Sequence, residues 1–219
     1  MAGKNHKNGS GIDSRKQLLA VALRLFAQKG YAATTVREIV DAAGTTAPSL
    51  YYYFGNKEGL YIELMRTQFA QLDSLLEPLL NKSQNAKARL QDLIDKIFHH
   101  VIEDQDFFRL MYTIYYGPPQ GAPFFDITYF HVRFHGYIRK IVEEGINSGE
   151  FLPVNPGSVA WIIRGTVQLA IEDQIKYDTV RIDRKGLQRI LDLILERFLS
   201  SPGRKQSFPG RVKNFPNES

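Results

Sequence analysis

The sequence predicts an all-α protein of about nine helices, three in an N-terminal unit and the rest in a larger helical unit. Three observations support this. Apolar residues recur at spacings of three and four along almost the whole chain, β-type alternation is scarce, and Gly- and Pro-rich breaks separate segments of helical length. The chain has 219 residues, of which 43% are hydrophobic, enough for a sizeable core.

The first two predicted helices are bounded by residues that typically begin and end helices. Apolar residues at helical spacing predict the first helix from about Asp13 to Lys29, and Gly30 is a typical residue just beyond a helix end. The second begins at Thr35 or one residue earlier, because Thr35 with Glu38 has the form of a capping box. Gly44 ends this short helix.

A proline and an uninterrupted helical stretch position the next two helices. The third is predicted from about Thr46 to Phe54, since Pro48 is tolerated only in the first turn of a helix. The fourth runs from about Lys57 to Leu76 and ends before Pro78. At 1.5 Å per residue it spans about 30 Å, long enough to connect two bodies mechanically.

Five further helices are predicted in the larger unit. A Gly- and Pro-rich break at residues 117–123 separates two of them from a third. The last two have the clearest periodicity, with apolar positions from Val159 to Ile171 and from Leu187 to Leu199. The first three are predicted over residues 86–103, 106–116 and 124–147.

Positive charge is concentrated at the two ends of the sequence, and the formal net charge is +5. The first 66 residues carry nine Lys and Arg against five Asp and Glu, and residues 201–219 carry four against one. The middle of the chain is therefore slightly acidic. A basic end on a nearly neutral body is the charge distribution expected of a nucleic-acid-binding protein.

Composition excludes several classes of site. The absence of Cys excludes disulfides, thiolate nucleophiles and Cys-based zinc or iron–sulfur sites. No apolar run approaches the roughly 20 residues that span a bilayer. Residues 1–7 lack the apolar core of a signal peptide. We therefore expect a cytoplasmic protein without a membrane association, a metal or a cofactor.

Two short helices joined by a Gly-containing turn, after a longer helix, form a helix-turn-helix, here over about residues 35–54. In this motif the N-terminal residues of the second short helix meet base edges in the major groove of DNA. Small side chains let that helix lie deep in the groove, and Ser and Thr can donate or accept hydrogen bonds. Tyr hydroxyls and a Lys at the next helix start suit phosphate contacts. The residues concerned are Thr45, Thr46, Ala47, Pro48, Ser49, Tyr51, Tyr52 and Lys57.

Five short segments of this region resemble the DNA-binding pattern of the TetR family of transcriptional regulators in order and spacing. They are LFAQKGY at 25–31, TTVREI at 34–39, AG at 43–44, SLYYYF at 49–54 and NKEGL at 56–60. The resemblance covers about residues 12–72, roughly a third of the chain. It implies a recognition helix with Thr46, Ala47, Pro48, Ser49 and Tyr51, phosphate contacts from Thr35, Tyr52 and Lys57, and a further contact from Arg37.

Two residues depart from the family's pattern. Val40 stands where the family usually has Ala, which is expected to alter packing rather than role. Ala47 stands where many members have Lys or Gln, so one side chain that could form a hydrogen bond with a base edge is absent. We expect Tyr53 and Phe54 to pack in the core rather than to face DNA.

The resemblance also implies an organisation and an activity for the whole chain. Residues 12–72 would be the DNA-binding domain and residues 73–200 a helical domain for effector binding and dimerisation. Residues 1–11 would form a flexible arm and residues 201–219 a mobile basic tail. The expected function is that of a homodimeric repressor, which holds a palindromic double-stranded DNA operator until an unknown small-molecule effector releases it. Because the family also contains activators, the resemblance leaves open whether the protein represses or activates transcription.

Residues 105–135 are rich in Phe, Tyr and His and are candidates for lining an apolar effector pocket with a few polar groups. Ordinary core packing is the alternative. Arg164 and Gln168 share a helix face that is either solvated or part of the pocket, and Arg164 would then suit an anionic effector. His131 and His135 have a metal-binding spacing, but without Cys or converging carboxylates no metal site is predicted. The candidate effector residues are Phe108, Tyr112, Tyr116, Tyr129, His131, His135, Arg164 and Gln168.

The apolar stripes of the last two helices are candidates for a four-helix interface with the same helices of a second subunit. Dimerisation suits a helix-turn-helix protein because two subunits read two half-sites of a palindrome. Alternatively, both stripes complete the core of a single chain. The candidate interface residues are Ile163, Val167, Ile171, Ile190, Ile194 and Phe198.

Two other classes of function remain as alternatives. One is a small all-helical enzyme that processes a ligand, although the sequence has no nucleophile–base pair at motif spacing, no phosphate loop and no metal set. The other is a helix-turn-helix that binds a protein instead of DNA. This second alternative predicts that substitution of Tyr52 and Lys57 leaves function intact.

Overall fold

The computed structural model describes residues 7–81, 84–117, 121–177 and 181–200, and this part of the chain is all-α as predicted. Within these ranges there is no β-strand, and a single bridge pairs Phe151 with Leu199. A short 3-10 turn, Glu77–Asn81, follows the fourth helix. The helices are α1 (Lys7–Lys29), α2 (Val36–Ala42), α3 (Ala47–Phe54), α4 (Lys57–Leu76), α5 (Ala86–Glu103), α6 (Gln105–Tyr116), α7 (Thr128–Asn147), α8 (Pro156–Lys176) and α9 (Arg184–Glu196).

Two helices begin at residues other than those predicted. α1 begins at Lys7 rather than Asp13, because a helix already nucleated by its packed part gains a hydrogen bond for each added residue. α7 begins at Thr128 rather than at residue 124. Here the carboxylate of Asp126 accepts a hydrogen bond from the Thr128 backbone N–H at 3.0 Å, and Pro123 favours extended backbone in the residue before it.

The two chain ends fall partly or wholly outside the described residues. Of the predicted arm, residues 7–11 belong to α1, whereas residues 1–6 lie outside the description. The predicted basic tail at residues 201–219 lies wholly outside it. Among the helices that are described, none is both long and apolar enough to cross a membrane.

The first four helices share a small core to which each contributes a fully buried side chain. Phe26 on α1, Ile39 on α2, Leu50 on α3 and Leu60 on α4 are at most 1% exposed. Arg15 of α1 makes an ion pair with α4 and lies over the ring of the residue that ends α3. These contacts fix the orientation of the two short helices relative to α1 and α4.

α5 lies at the centre of the larger unit, where it contacts α7, α8 and α9. Its N-terminus is capped from another element, because the Glu150 carboxylate accepts hydrogen bonds from the backbone N–H groups of Ala86 and Lys87 at 2.6 and 2.8 Å. α7 comes very close to α5 at the same point. A Cβ atom on Gly145 would lie 2.7 Å from the Ala86 Cβ and would overlap the Phe151 ring.

Two sets of contacts fasten the first four helices to the larger unit. α6 packs along α1. The ring of Phe69 on α4 lies 5.5 Å from that of Phe107 on α6 and 5.7 Å from that of Phe130 on α7. One turn later on α4, the Asp73 carboxylate accepts a hydrogen bond from the Arg133 guanidinium of α7 at 3.1 Å. The long helix α4 is thus held by α6 and α7 as well as by its own core.

Candidate functional site

Both ends of α2 are built from local interactions that the sequence encodes. Thr35 accepts a hydrogen bond from the Glu38 backbone N–H at 3.2 Å, and Glu38 accepts one from the Thr35 backbone N–H at 2.8 Å. This is the predicted capping box. Gly44 has φ = 59°, the left-handed conformation that favours glycine over residues with a Cβ atom. The chain therefore reverses sharply between the two short helices.

The ion pair between Lys29 and Glu38 joins the end of α1 to the first turn of α2. The Lys29 ammonium donates a hydrogen bond to the Glu38 carboxylate. This bond, together with those from Thr35, lowers the pKa of Glu38 to about 2. The Thr35 hydroxyl itself donates to Glu38 at 2.8 Å. Thr35 is exposed, but its hydroxyl already has both a donor and an acceptor role within the protein.

α3 has one buried side and one side that faces solvent. Leu50 is fully buried and anchors the helix against α1 and α4. On the other side, Thr46 and Pro48 are exposed, and the Tyr51 and Tyr52 side chains are 50% and 83% exposed. The remaining candidates, Thr45, Ala47 and Ser49, are partly exposed, and the Ser49 and Thr46 hydroxyl oxygens lie 3.1 Å apart.

The aromatic residues that end α3 divide as the sequence analysis expects. Tyr53 and Phe54 are partly buried and pack against the core. Tyr52 contacts the edge of the Tyr53 ring at a centroid distance of 5.1 Å and otherwise projects into solvent. Tyr52 and the small polar residues at the start of the same helix therefore share one solvent-exposed surface.

Arg37 on α2 is placed to add a positive charge beside this surface. Its side chain is 90% exposed, and its only ion pair within the described residues is a 3.6 Å contact with Asp41 one turn along the same helix. An exposed pair of this kind contributes at most about 1 kcal/mol. The guanidinium can therefore exchange Asp41 for another anion at little cost.

Lys57 has a different environment from the one expected of a phosphate contact. Its ammonium donates hydrogen bonds to the backbone carbonyls of Tyr31 and Thr34 at 3.0 and 2.9 Å. The same nitrogen lies 4.2 Å from the centroid of the Tyr31 ring. Partial burial lowers the pKa of Lys57. The side chain joins α4 to the connection between α1 and α2, and a phosphate contact would have to replace these bonds.

Replacement of Lys57 by Met is accordingly expected to lower thermal stability. The change keeps the apolar stem but removes two charge-assisted hydrogen bonds, which costs about 1 kcal/mol at a partly exposed site. For a chain of this size the melting temperature should fall by about 2–4 °C. Lys16→Met on the exposed side of α1 is the control and should leave the melting temperature unchanged. An unchanged melting temperature for Lys57→Met would contradict the joining role.

A second candidate site is a cavity of about 40 Å³ enclosed by α5, α6, α7 and α8. Two of the candidate effector residues lie outside its lining. Tyr129 is 55% exposed and packs against Arg133, and the His135 ring lies 5.2 Å from that of Trp161. The other six candidates line the cavity together: Phe108, Tyr112, Tyr116, His131, Arg164 and Gln168.

Sequence reasoning did not assign several of the apolar cavity walls to this site. Val167 and Ile171 line the cavity, although the sequence analysis placed them at a subunit interface. Helical periodicity identifies the buried side of α8 but does not distinguish a packed core from the wall of a cavity. The other apolar lining residues that were not among the candidates are Ile97, Met111, Phe130, Phe134 and Ile175.

The polar groups of the cavity carry positive rather than negative charge. Burial, and then the nearby Arg164 charge, lower the pKa of His131, so its imidazole is neutral at pH 7. Burial raises the pKa of Tyr116. Arg164 itself lies 4.8 Å from the Trp161 ring centroid, which holds the guanidinium by a cation–π contact. No group of three His, Asp or Glu side chains suited to a metal ion occurs within the described residues.

The predicted subunit interface requires correction on α8. Ile163 and Val167 are at most 1% exposed and belong to the core of their own chain. Ile194 on α9 and Phe198 just beyond its end also pack against this core, whereas Ile190 on α9 is partly exposed. The apolar side chains that do face solvent are Trp161 (59% exposed), Ile162 (48%) and Leu169 (64%) on α8 and Leu193 (71%) on α9. We call these four residues the α8–α9 face.

Comparison with known proteins shows what the N-terminal helices are similar to. Residues 18–64 match the family described as bacterial regulatory proteins, tetR family. The HTH-type transcriptional regulator YdgC of Bacillus subtilis is 34% identical over 100 residues, which is 44% of this chain and 51% of YdgC. This chain thus spans about half the length of that relative. The HTH-type transcriptional repressor KstR2 of Rhodococcus jostii is 25% identical over 189 residues, which is 86% of this chain and 92% of KstR2.

A solved structure shows that the likeness extends over the larger unit. The ketosteroid transcriptional regulator KstR2 of Mycobacterium tuberculosis superposes with a TM-score of 0.65 at 22% identity, covering 91% of this chain and 99% of that one. At this identity the superposition establishes the fold. The family match falls on the helices that build the exposed α3 surface, and the relatives are named as regulators rather than enzymes. By these comparisons, residues 18–64 are similar to bacterial regulatory proteins of the tetR family, and the described fold is shared with a solved regulator.

Proposed function

We propose that this protein is a sequence-specific DNA-binding repressor whose α3 is the recognition helix. The observation that supports this most directly is the solvent-facing side of α3, with small polar residues at its start and the projecting Tyr52. Residues 12–72 would form the DNA-binding domain and residues 73–200 the effector-binding and dimerisation domain. The similarity to KstR2 of Mycobacterium tuberculosis and Rhodococcus jostii, both transcriptional repressors by name, also supports the repressor assignment.

DNA binding is tested by fluorescence anisotropy with the DNA that flanks the protein's own gene, against shuffled competitor, over a salt series. We expect a preference of at least about 10³ for the specific DNA. Tyr52→Ala should weaken binding without changing the fold, since its ring is 83% exposed. Arg37→Ala should flatten the salt dependence, because each lost phosphate contact lowers the slope of log K against log salt by about 0.9.

The structure offers a matched control for Arg37. Arg139 on α7 is also exposed and pairs with a carboxylate one turn along its own helix. Arg139→Ala removes the same charge from the larger unit and should leave the salt slope unchanged. If Arg37→Ala and Arg139→Ala change the slope of log K against log salt equally, the result would not support a phosphate contact by Arg37 on α2. If Tyr52→Ala and Arg37→Ala both bind as the wild type does, the protein-interaction alternative is favoured.

A homodimer formed through the α8–α9 face is the second part of the proposal. Two copies of this face can pack as a four-helix interface, which is a common arrangement of paired helices. Gly165 on α8 lies among these exposed side chains, and a Cβ atom built there would meet no other atom within 4 Å. The absence of a side chain at this position lets a second helix approach closely. Two subunits then present two α3 helices to the half-sites of a palindrome.

Release of DNA by an effector is the third part of the proposal, and the cavity among α5–α8 is its site. KstR2 of Mycobacterium tuberculosis, which has the same fold, is named a ketosteroid transcriptional regulator. Because a ketosteroid is largely apolar, that name is consistent with an apolar effector in this fold. α6 supplies Phe108 and Tyr112 to the cavity and packs along α1, so one helix connects the cavity with the N-terminal helices. α7 supplies Phe130 and contacts α4 through Phe69. A ligand that binds more tightly to one arrangement of these helices shifts the population of DNA-binding states.

A further inference from the structure

We infer that the cavity selects a small monocarboxylate with an apolar body, and that Arg164 is the residue that binds the carboxylate. This inference deepens the proposed effector site and rests on that proposal. It follows from the charge that surrounds the cavity, from the packing of Arg164 and from the apolar character of the remaining wall.

The first observation is an unbalanced positive charge. Arg164 lines the cavity, and within the described residues its guanidinium makes no ion pair with a carboxylate. The nearest acidic group on the same face of α8 is Glu172, which acts on Tyr116 but is bound to Lys176 at 3.1 Å. Glu172 and Lys176 therefore cancel each other. The cavity keeps one net positive charge, which a single negative charge would balance.

The second observation is that Arg164 is held in place without using its hydrogen-bonding groups for another anion. Its guanidinium stacks on Trp161 at 4.8 Å, a contact with the flat face that leaves the N–H groups at its edge available. A planar fork of N–H groups matches a carboxylate in a bidentate manner. Gln168, one turn later on α8, also lines the cavity and adds a neutral donor.

The third observation concerns the size and chemistry of the remaining wall. It is dominated by apolar and aromatic side chains such as Ile97, Phe108 and Phe134. A cavity of about 40 Å³ holds about three waters, since each needs about 10–15 Å³. That is the space of a short acyl chain. His131 is neutral at pH 7 and can donate a hydrogen bond without adding charge.

The experiment measures binding of defined probes to the full chain by isothermal titration calorimetry at pH 7 in the absence of DNA. The probes are straight-chain carboxylates from butanoate to decanoate, each paired with its primary amide, which has the same shape and no charge. We expect the preferred carboxylate to bind at least about tenfold more tightly than its amide, because a hydrogen bond to a charged group contributes about 1.5–3 kcal/mol. Arg164→Met should reduce this ratio to about one, and Arg164→Lys should restore part of it.

Arg181 provides the matched control, since its guanidinium stacks on Tyr177 at 4.1 Å in a similar way but lies outside the cavity lining. Arg181→Met should keep the preference for carboxylates. Equal binding of acids and amides, a preference that survives Arg164→Met, or no binding of any acid at millimolar concentration would each overturn the inference. Tighter binding of octyl phosphate than of octanoate would overturn the assignment of a single negative charge.

The proposed function has a separate readout. The acid that binds best is added to the protein–DNA complex, and the anisotropy titration is repeated. An acid that shows the predicted preference but leaves DNA affinity unchanged supports the Arg164 site and counts against release by this ligand. Loss of DNA binding in the Arg164→Met variant without any ligand would instead indicate a structural role for Arg164.

Discussion

Leu169→Glu is expected to convert the proposed dimer to a monomer and to weaken binding to the proposed palindromic operator by about 100-fold. Leu169 is 64% exposed on α8, so a Glu side chain is tolerated by the single chain. In the proposed dimer the same carboxylate would be buried without a partner, which costs several kcal/mol in each subunit. Analytical ultracentrifugation at micromolar concentration measures the first effect and anisotropy with operator DNA the second.

Ile102→Glu is the control for this prediction. Ile102 is an exposed apolar residue at the end of α5, away from the α8–α9 face. Its substitution should leave both the sedimentation and the DNA affinity unchanged. Circular dichroism should give the same helical signal for both variants. A Leu169→Glu variant that still sediments as a dimer would place the subunit interface elsewhere. A monomer that binds the palindrome as tightly as the wild type would show that dimerisation is not required.

Gly145→Val is expected to destabilise the fold by about 3 kcal/mol, since it forces a branched side chain into a contact that has no space. A Cβ atom at this position already lies 2.7 Å from the Ala86 Cβ and overlaps the Phe151 ring. The backbone carbonyl of Gly145 also accepts hydrogen bonds from Glu150 and Phe151, which cap α5 and begin the bridge to Leu199. The melting temperature should fall by about 6–12 °C.

The matched substitution on the same helix is Gly136→Val. Gly136 is an exposed glycine of α7 at which a Cβ atom would meet no other atom within 4 Å. Valine has a somewhat better helix propensity than glycine. We therefore expect the free energy of unfolding of Gly136→Val to equal that of the wild type or to exceed it by a few tenths of a kcal/mol. An equal fall in melting temperature for Gly145→Val and Gly136→Val would mean that valine disturbs α7 itself rather than its contact with α5.

The two short helices α2 and α3 could be predicted closely because their boundaries depend on neighbours in sequence. The capping box of Thr35 and Glu38, the left-handed Gly44 and the position of Pro48 each act over a few residues. The bounds of α4 and α5 follow in the same way from Asn residues that cap them. Such local signals are readable from one sequence, and they place the exposed side of α3 correctly.

Two features could not be predicted in the same way: the role of Lys57, and which side of α8 packs against its own chain. Lys57 bonds to carbonyl groups of Tyr31 and Thr34, which lie more than twenty residues earlier in the chain. Nothing in local sequence shows that these carbonyls lack other partners. α8 is apolar on two sides, with Ile163 facing the core and Leu169 facing solvent. Periodicity detects such a helix but does not say which side another element of the same chain covers.

The size of the cavity sets how strongly any larger effector can bind. As folded, the space holds only a few waters, and α7, which forms one wall, is fastened to α4 by Asp73 and Arg133. A ligand larger than this space can bind only the fraction of molecules in which α7 has moved. Its apparent dissociation constant rises as that fraction falls. In the proposed effector response, substitutions that loosen the Asp73–Arg133 contact are therefore expected to lower the ligand concentration at which DNA is released.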